Sequence, residues 1–276
     1  MPHEIFLSAV VADADTLKAR ALLGGFTETS GQHHQFTRVQ HYEPQDATVK
    51  GFATIKQLQK ERAPTTQQWQ ELHQILAKQP SILQVRTDVT EEVQNAVTTG
   101  EHPAITVPAD TPHLLRWTDL PDPQNLRFPF ITQRKIVEIS DPRAEKILLE
   151  NKFKVKSDLL EESYHWWRND VEYALTRPFI VSLEPNPDPA ASQQIPNPAS
   201  LKPATPFWIL YVRTRVDSTS STSMPERMKQ GQTVLVQVRE QLTGEDLEKF
   251  LVPPDDYPAK PDKERSPDDD KDSEDF

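Results

Sequence analysis

Residues 114–180 carry LLRWTDLPDP (114–123), RKIVEIS (134–140), ESYHWWRND (162–170) and VEYALTRPFI (171–180). No other stretch of the chain holds so many aromatic and β-branched residues, the types that strands favour. In the last run Val171, Tyr173, Leu175 and Phe179 alternate with Glu172 and other residues, which is the period expected when one face of a strand is buried. The main body of a β-rich domain is therefore predicted here.

Similar patterns extend this domain in both directions. Strands are predicted at about 5–11, 33–42, 114–118, 134–140, 160–168, 171–181 and 207–216. Helices are predicted after Asp13 as far as Gly24-Gly25, after Thr66, from Asp141-Pro142 to Asn151, and along the apolar stripe of 224–242. We expect a mainly β (α+β) fold, a closed or nearly closed antiparallel β-barrel with three to four peripheral helices and long flexible insertions, because closure hides sheet edges.

The domain boundaries follow changes in composition. Residues 1–43 form the first part of the barrel, and 44–112, rich in Gln, Thr, Pro and Ala, are expected to be a variable, partly disordered insertion. Residues 113–242 complete the barrel and include a proline-rich linker at 184–206. An acidic, disordered tail is expected at 243–276.

The distribution of charge excludes several function classes. The formal net charge is -11, and residues 255–276 hold ten acidic and four basic residues, a net of -6 that leaves -5 for residues 1–254. No basic run occurs, so direct nucleic-acid binding is not expected. No apolar run reaches the length of a membrane span, and the chain contains no cysteine for a disulfide, thiolate or Cys-zinc site.

One set of residues could support catalysis. Asp170 and Glu172 are expected on one face of a strand, and Arg213 and Arg215 alternate on another. Inside a barrel, the carboxylates could hold Mg²⁺ while the arginines bind phosphate oxygens, so the alternative function is a metal-dependent triphosphate tunnel hydrolase. A hydrated, solvent-facing strand is the preferred interpretation, and no catalytic residue, metal or cofactor is expected.

A group of aromatic and apolar residues allows two interpretations: most are expected in the core, because burial is the commonest use of a large ring, and some could contact proteins. Trp166 and Trp167 are neighbours on a strand and must face opposite sides, so one of them can lie on the surface. Exposed tryptophan is common at protein contacts. The candidate partner interface contains Leu115, Trp117, Tyr164, Trp166, Trp167, Tyr173 and Phe179.

Six blocks of the sequence, taken together, are similar to those of a known protein family. They are HEIFLSAVV, LLRWTDLPDP, RKIVEISD, LLENKFKV, EESYHWWRNDVEYALTRPF and PFWILYVRTRV. Together they resemble the fungal form of the eighteenth-subunit family of the Mediator complex. The resemblance implies an antiparallel β-barrel, a heterodimer with the related twentieth subunit, and docking on the head module through a C-terminal helix of the eighth subunit. It also implies contact with other head-module subunits and the RNA polymerase II machinery, a nuclear location, a coactivator function and no enzymatic activity.

Overall fold

The fold was analysed in a computed structural model that describes residues 1–28, 32–46, 48–61, 63–78, 81–99, 104–108, 111–122, 128–182, 194–217 and 223–244. The strands are β1 (His3–Ala12), β2 (His33–Pro44), β3 (Leu83–Asp88), β4 (Ala104–Thr106), β5 (His113–Thr118), β6 (Thr132–Ser140), β7 (Phe153–Arg168), β8 (Val171–Ser182), β9 (Gln194–Pro196), β10 (Lys202–Pro203) and β11 (Phe207–Val216). The helices are α1 (Thr16–Thr27), α2 (Ile55–Lys60), α3 (Thr66–Leu76), α4 (Thr90–Thr99), α5 (Ala144–Glu150) and α6 (Met224–Gly244).

Eight strands close into an antiparallel barrel. Their order is β8-β11-β1-β6-β5-β3-β2-β7, and β7 pairs with β8 to complete the ring. Strand β10 pairs with β8 outside the ring, and β4 pairs with β9 in a separate two-stranded sheet. The closed antiparallel barrel expected from the sequence is confirmed.

The hydrophobic core lies outside the barrel, between its wall and the helices. Helices α1 and α6 cover one side, where Leu23 and Leu235 are fully buried against Tyr173 and other outward residues. Helices α2, α3 and α5 cover a second side around Trp69 and Leu115, and a third apolar cluster includes Val93 of α4. Because apolar residues alternate with polar ones along each strand, this outward core leaves the polar residues facing the lumen.

Two helix predictions hold for the buried face but not for the cap. Thr66 was expected to cap α3, but it is the first residue of the helix, and Thr65 at the cap position makes no side-chain hydrogen bond. Helix α3 buries Trp69, Leu72 and Leu76 on one face, and the partner surface is the barrel of the same chain.

Helix α5 begins after Asp141, whose carboxylate accepts a hydrogen bond from the Arg143 N–H at 3.0 Å. The helix itself starts at Ala144 with Arg143 at the cap position, so Asp141 stabilises the turn before the helix, and the expected start at Pro142 was two residues too early.

The prediction for α1 was wrong at both ends. The helix continues through Gly24-Gly25 to Thr27, and Glu28 adopts the left-handed conformation with φ 55° after it. The apolar face continues to Phe26, which is buried, so packing outweighs the low helix propensity of the two glycines. Asp13 does not cap the helix, because its carboxylate accepts hydrogen bonds from Arg177 and the Trp208 indole.

The region expected to be an insertion, 44–112, contributes to the barrel. Within its described residues, β3 pairs with β2 and β5 and is a member of the ring. The proline-rich stretch forms β9, a short 3-10 helix and β10 over its described part, whereas 183–193 lie outside the described residues. Of the expected tail, 243 and 244 complete α6, and 245–276 lie outside the described residues. None of the helices among the described residues combines the length and the apolar character needed to span a bilayer.

Candidate functional site

The centre of the barrel lumen is a four-residue ion cluster around Glu4. The register of β1 sets Glu4 opposite Arg134 on β6 and Arg215 on β11, so these side chains share the inner face. The Glu4 carboxylate is 2.8 Å from Arg116 Nη2, 2.6 Å from Arg134 Nη2 and 3.7 Å from Arg213 Nη1. Glu4 is completely buried. Three strands therefore direct guanidinium groups at one carboxylate.

These contacts keep Glu4 ionised. Burial by itself opposes the charged form, but the charges of Arg116, Arg134 and Arg213 outweigh it and hold the pKa of Glu4 below its ordinary value. Burial lowers the pKa of Arg116, while its two carboxylate neighbours favour the charged form. A buried carboxylate held by three arginines is an acceptor whose lone pairs are already used.

Glu172 forms a second cluster at one end of the lumen. Its carboxylate accepts hydrogen bonds from Arg213 Nε at 2.6 Å and Nη2 at 2.9 Å, and lies 2.8 Å from His165 Nδ1. Burial opposes ionisation of Glu172, yet the hydrogen bonds from His165 and Arg213 hold its pKa far below the ordinary value. Glu172 and Arg213 therefore form a largely buried ion pair inside the barrel, rather than lying on the hydrated, solvent-facing side that was preferred from the sequence.

Asp170 and Arg215 take other positions. Asp170 lies in the turn between β7 and β8, so the expectation that it shares a strand face with Glu172 was wrong. Asn169 and Asp170 form the two-residue turn between these strands. Asn169 adopts the left-handed conformation, with φ 52°. Arg215 is paired with Glu138 at 2.7 Å, near the rim of the barrel.

The remaining lumen carboxylate, Glu161, lies 2.5 Å from Arg86. A cavity of about 170 Å³ is left between Glu4, Arg86, Arg116, Glu161 and Arg213. Across the described residues, no three His, Asp or Glu side chains come close enough to hold one metal ion. Each lumen carboxylate named here is paired with an arginine, so a cation entering the lumen would have to displace guanidinium groups.

A wider groove opens at the rim, next to the β7–β8 turn. It has a volume of about 870 Å³ and lies between that turn, the end of β11 and one face of α6. Trp167 is 47% exposed and Val234 of α6 is 39% exposed, and both line the groove. Trp167 stacks on His165 with ring centroids 5.7 Å apart, which fixes the indole at the rim. We call this feature the rim groove.

Most of the aromatic and apolar residues expected at a partner interface are core residues. Leu115 and Trp117 are buried under α3 and α5, and Trp166 and Tyr173 are buried under α1. Helices of the same chain cover the outward faces of these strands, so the core interpretation holds for these four residues and they are not available as surface contacts in this structure. Phe179 is partly buried.

Tyr164 is buried as well, between Arg20 and His34. The Arg20 guanidinium lies 3.8 Å from the Tyr164 ring centroid, and the His34 ring stacks on it at 4.4 Å. Of the expected interface residues, Trp167 has the exposure of a contact residue, consistent with the reasoning that two neighbouring tryptophans face opposite sides.

Sequence reasoning missed three lumen arginines, Arg86, Arg116 and Arg134. Arg116 alternates with the outward apolar residues Leu115 and Trp117, so a signal was present there, whereas Arg134 lies between the polar residues Gln133 and Lys135. The convergence of the three arginines on Glu4 and Glu161 depends on strand order, which alternation does not reveal.

Comparisons with known proteins agree with this fold. A family model described as Med18 protein matches residues 3–249. A search of curated proteins found no match. The structure of the Schizosaccharomyces pombe Mediator head module contains a chain with 12% identity and a TM-score of 0.54, and the likeness covers 88% of this chain and 96% of that chain.

Two further solved structures are more distant. A conserved hypothetical protein from Pyrococcus furiosus has 10% identity and a TM-score of 0.40, with 91% of this chain and 95% of that chain covered. A Hippeastrum protein described as an adenylyl cyclase with a dominant triphosphatase activity has 10% identity and a TM-score of 0.39, with 86% of this chain and 88% of that chain covered. At these TM-scores neither likeness bears on function.

The family match extends over almost the whole chain and agrees with the closed barrel. The chain therefore belongs to the Med18 family, whose members are subunits of the Mediator complex.

Proposed function

We propose that this protein is a non-catalytic subunit of the Mediator head module, acting in the nucleus to support RNA polymerase II transcription. The observation that carries the proposal is the pairing of Glu4 with Arg116, Arg134 and Arg213 in the centre of the lumen. A tunnel hydrolase needs carboxylates free to bind a metal ion and arginines free to bind phosphate. Here the two kinds of group neutralise each other.

The proposed partners are the related twentieth subunit, as a second barrel, and a helix of the eighth subunit. The rim groove supports the second of these. An amphipathic helix binds through apolar residues set in a groove, and Trp167 and Val234 provide exposed apolar surface there. Exposed tryptophan is among the side chains that contribute most to binding free energy.

Co-expression with the twentieth and eighth subunits, followed by size-exclusion chromatography, tests this function. We expect a stable ternary complex. The Trp167→Ala variant should weaken retention of the eighth subunit, because it removes the largest exposed apolar side chain of the groove. Leu149→Ala is the matched control, since Leu149 is 51% exposed but lies on α5 and does not line the groove.

A protein that elutes alone in the presence of both subunits contradicts the proposed function. Equal losses from Trp167→Ala and Leu149→Ala contradict only the assignment of the rim groove, because neither variant would then report on that surface specifically.

A further inference from the structure

The rim groove offers little free strand edge. Its floor includes Tyr173 of β8 and Val216 of β11. The ladder between these two strands extends as far as Glu172 and Arg213, so no more than residues 214–216 of β11 project beyond it on that side. This is short for an extended peptide that would add to the sheet, whereas a helix satisfies its own backbone hydrogen bonds. A helix is therefore the expected occupant.

Helix α6 presents a regular face to the groove. Its lining residues recur at alternating steps of three and four, as Arg227, Gln230, Val234, Gln237 and Gln241. Residues with this spacing share one side of a helix, against which a second helix can pack. The face from Arg227 to Gln241 is about 21 Å long at roughly 1.5 Å per residue, so an occupant of about four helical turns fits it.

The arginines of the groove differ in how far they are already engaged. Arg213 and Arg215 form ion pairs with carboxylates of the barrel, and Arg227 donates a hydrogen bond to a backbone carbonyl. Within the described part of the chain, no hydrogen bond or ion pair holds the guanidinium of Arg168. Its Cζ lies 4.8 Å from the centroid of the Phe26 ring. Arg168 therefore keeps its N–H donors for a partner.

The floor beside Arg168 contains a hydroxyl that lacks a partner. Tyr173 is fully buried, and its hydroxyl makes no hydrogen bond to any of the described residues. The Tyr173 ring packs edge-on against Phe26 with centroids 5.7 Å apart, so Phe26 contacts both Tyr173 and Arg168. Burial raises the pKa of Tyr173 to about 12, and the charge of Arg168 opposes that rise. The hydroxyl therefore stays protonated and holds a donor that the free chain does not use.

We propose that the rim groove binds an amphipathic helix of a partner protein, and that Tyr173 and Arg168 recognise one acidic side chain on that helix. The carboxylate accepts hydrogen bonds from the Tyr173 hydroxyl and the Arg168 guanidinium, while apolar residues of the helix contact Trp167 and Val234. The identity of the partner as the eighth subunit rests on the proposed function. Recognition of a carboxylate is a property of the groove and can fail while that partnership holds.

Docking requires a small movement, because the Tyr173 hydroxyl is inaccessible in the free chain. Arg168 can move, since its guanidinium contacts the Phe26 ring and is not held by a carboxylate of the described chain. Changes of side-chain rotamer are common at protein interfaces. In the bound state the guanidinium moves from Phe26 to the carboxylate, which brings the acceptor within reach of the hydroxyl.

Titration of the eighth subunit into the full-length protein, followed by isothermal titration calorimetry, measures the contribution of the hydroxyl. Tyr173→Phe should raise the Kd about tenfold or more, because a hydrogen bond to a charged group is lost. In the free protein the same substitution should leave the urea midpoint unchanged or raise it, because the hydroxyl has no partner there. A tyrosine with a merely structural role would not show this combination.

Tyr42→Phe is the matched control. The Tyr42 hydroxyl donates to the Glu145 carboxylate at 3.0 Å, and Tyr42 belongs to a different apolar cluster and does not line the groove. Loss of this hydroxyl should lower the urea midpoint and leave the Kd unchanged. Equal effects of Tyr42→Phe and Tyr173→Phe on the Kd overturn the proposal.

A double-mutant cycle identifies the carboxylate. Each Asp or Glu of the partner helix is replaced by Asn or Gln, and each variant is titrated into the wild-type, Tyr173→Phe and Arg168→Gln proteins. For one acidic residue, the neutral variant should bind all three proteins with Kd values equal within about twofold, because the contact is already lost. Additive losses at every acidic position overturn the recognition of a carboxylate, while binding of the eighth subunit still supports the proposed function.

Two further outcomes concern the occupant of the groove. Absence of binding by the wild-type protein contradicts the proposed function and overturns the assignment of the groove to that partner. Self-association of the free protein in sedimentation velocity, abolished by Trp167→Ala, also overturns the proposal, because it assigns the groove to a second copy.

Discussion

Glu4 and Arg116 form a buried ion pair at 2.8 Å in the centre of the barrel, and both side chains are almost inaccessible to solvent. The pair joins β1 to β5 across the lumen, although these strands are not neighbours in the sheet. Ion pairs thus connect the strands inside the lumen, whereas the apolar packing lies outside the barrel wall.

Glu4→Gln should therefore destabilise the fold by about 3 kcal/mol, because it leaves a desolvated Arg116 without its principal carboxylate partner. The control is Glu61→Gln, which breaks the exposed Arg143–Glu61 pair and should cost less than about 1 kcal/mol. Urea unfolding monitored by tryptophan fluorescence measures both. Similar losses from the two variants would contradict the buried cluster.

Stability should fall with acid in two stages. Burial lowers the pKa of His41 and His113, so the unfolded chain, with histidine pKa values near 6.5, binds protons first and stability begins to fall below about pH 6.5. The pKa of Glu4 is also below its ordinary value, because the arginine charges outweigh burial. The stability that Glu4 contributes is complete above about pH 5 and is lost as pH falls through its folded-state pKa.

The free energy of unfolding, measured in urea from about pH 8 to about pH 3, tests both stages. The difference between the wild type and Glu4→Gln should shrink as the pH falls below about 4.5. A difference that is constant across this range would show that Glu4 is not ionised in the folded protein.

Two helical glycines should respond in opposite directions to alanine. Gly25→Ala should stabilise the protein by about 0.5–1 kcal/mol, because it raises helix propensity and the added Cβ meets no atom within 4 Å. At Gly231 the added Cβ would lie 2.7 Å from Cδ1 of fully buried Ile5, so α6 must move from β1 or Ile5 must change rotamer. We expect Gly231→Ala to lower the stability of the protein. Equal increases in the thermal unfolding temperature for both variants would contradict this packing.

A hydrogen bond from Trp69 connects α3 to the turn that precedes α5. Its indole N–H donates to the Asp141 carboxylate at 3.1 Å, and both residues are buried. Trp69→Phe should cost about 1–3 kcal/mol, because it removes a hydrogen bond to a charged group and leaves unfilled volume. Trp167→Phe, at an exposed site, should change the free energy of unfolding by less than about 0.5 kcal/mol. Similar decreases in the free energy of unfolding for the two variants, measured in urea, would contradict the burial of Trp69.

The strands with strong alternation could be predicted from the sequence. Strand β11 lies at 207–216 as expected, and α6 forms despite its β-branched residues because Leu235 and Val238 continue its buried stripe. Strand β3 was missed because LQVRTD is short and lies within a polar, glutamine-rich stretch. Its role depends on long-range pairing with β2 and β5, which local pattern does not contain.

The candidate site was predicted only in part. Alternation placed Arg213 and Arg215 on one face of their strand, but a solvent-facing side was preferred, and neither the inward direction nor the pairing of Glu172 with Arg213 and of Arg215 with Glu138 could be predicted. Trp117 was expected at an interface because alternation identifies two faces of a strand without showing which of them helices cover. Here the helices cover the outer face, so the apolar residues are core and the charged ones fill the lumen.

The most direct test of a non-catalytic barrel is phosphate release from a nucleoside triphosphate, measured with the purified protein and Mg²⁺ or Mn²⁺. With Glu172 bound by Arg213 and His165, we expect no release above the buffer background, and the same background from Glu172→Gln. Metal-dependent release by the wild type that Glu172→Gln abolishes would contradict the account.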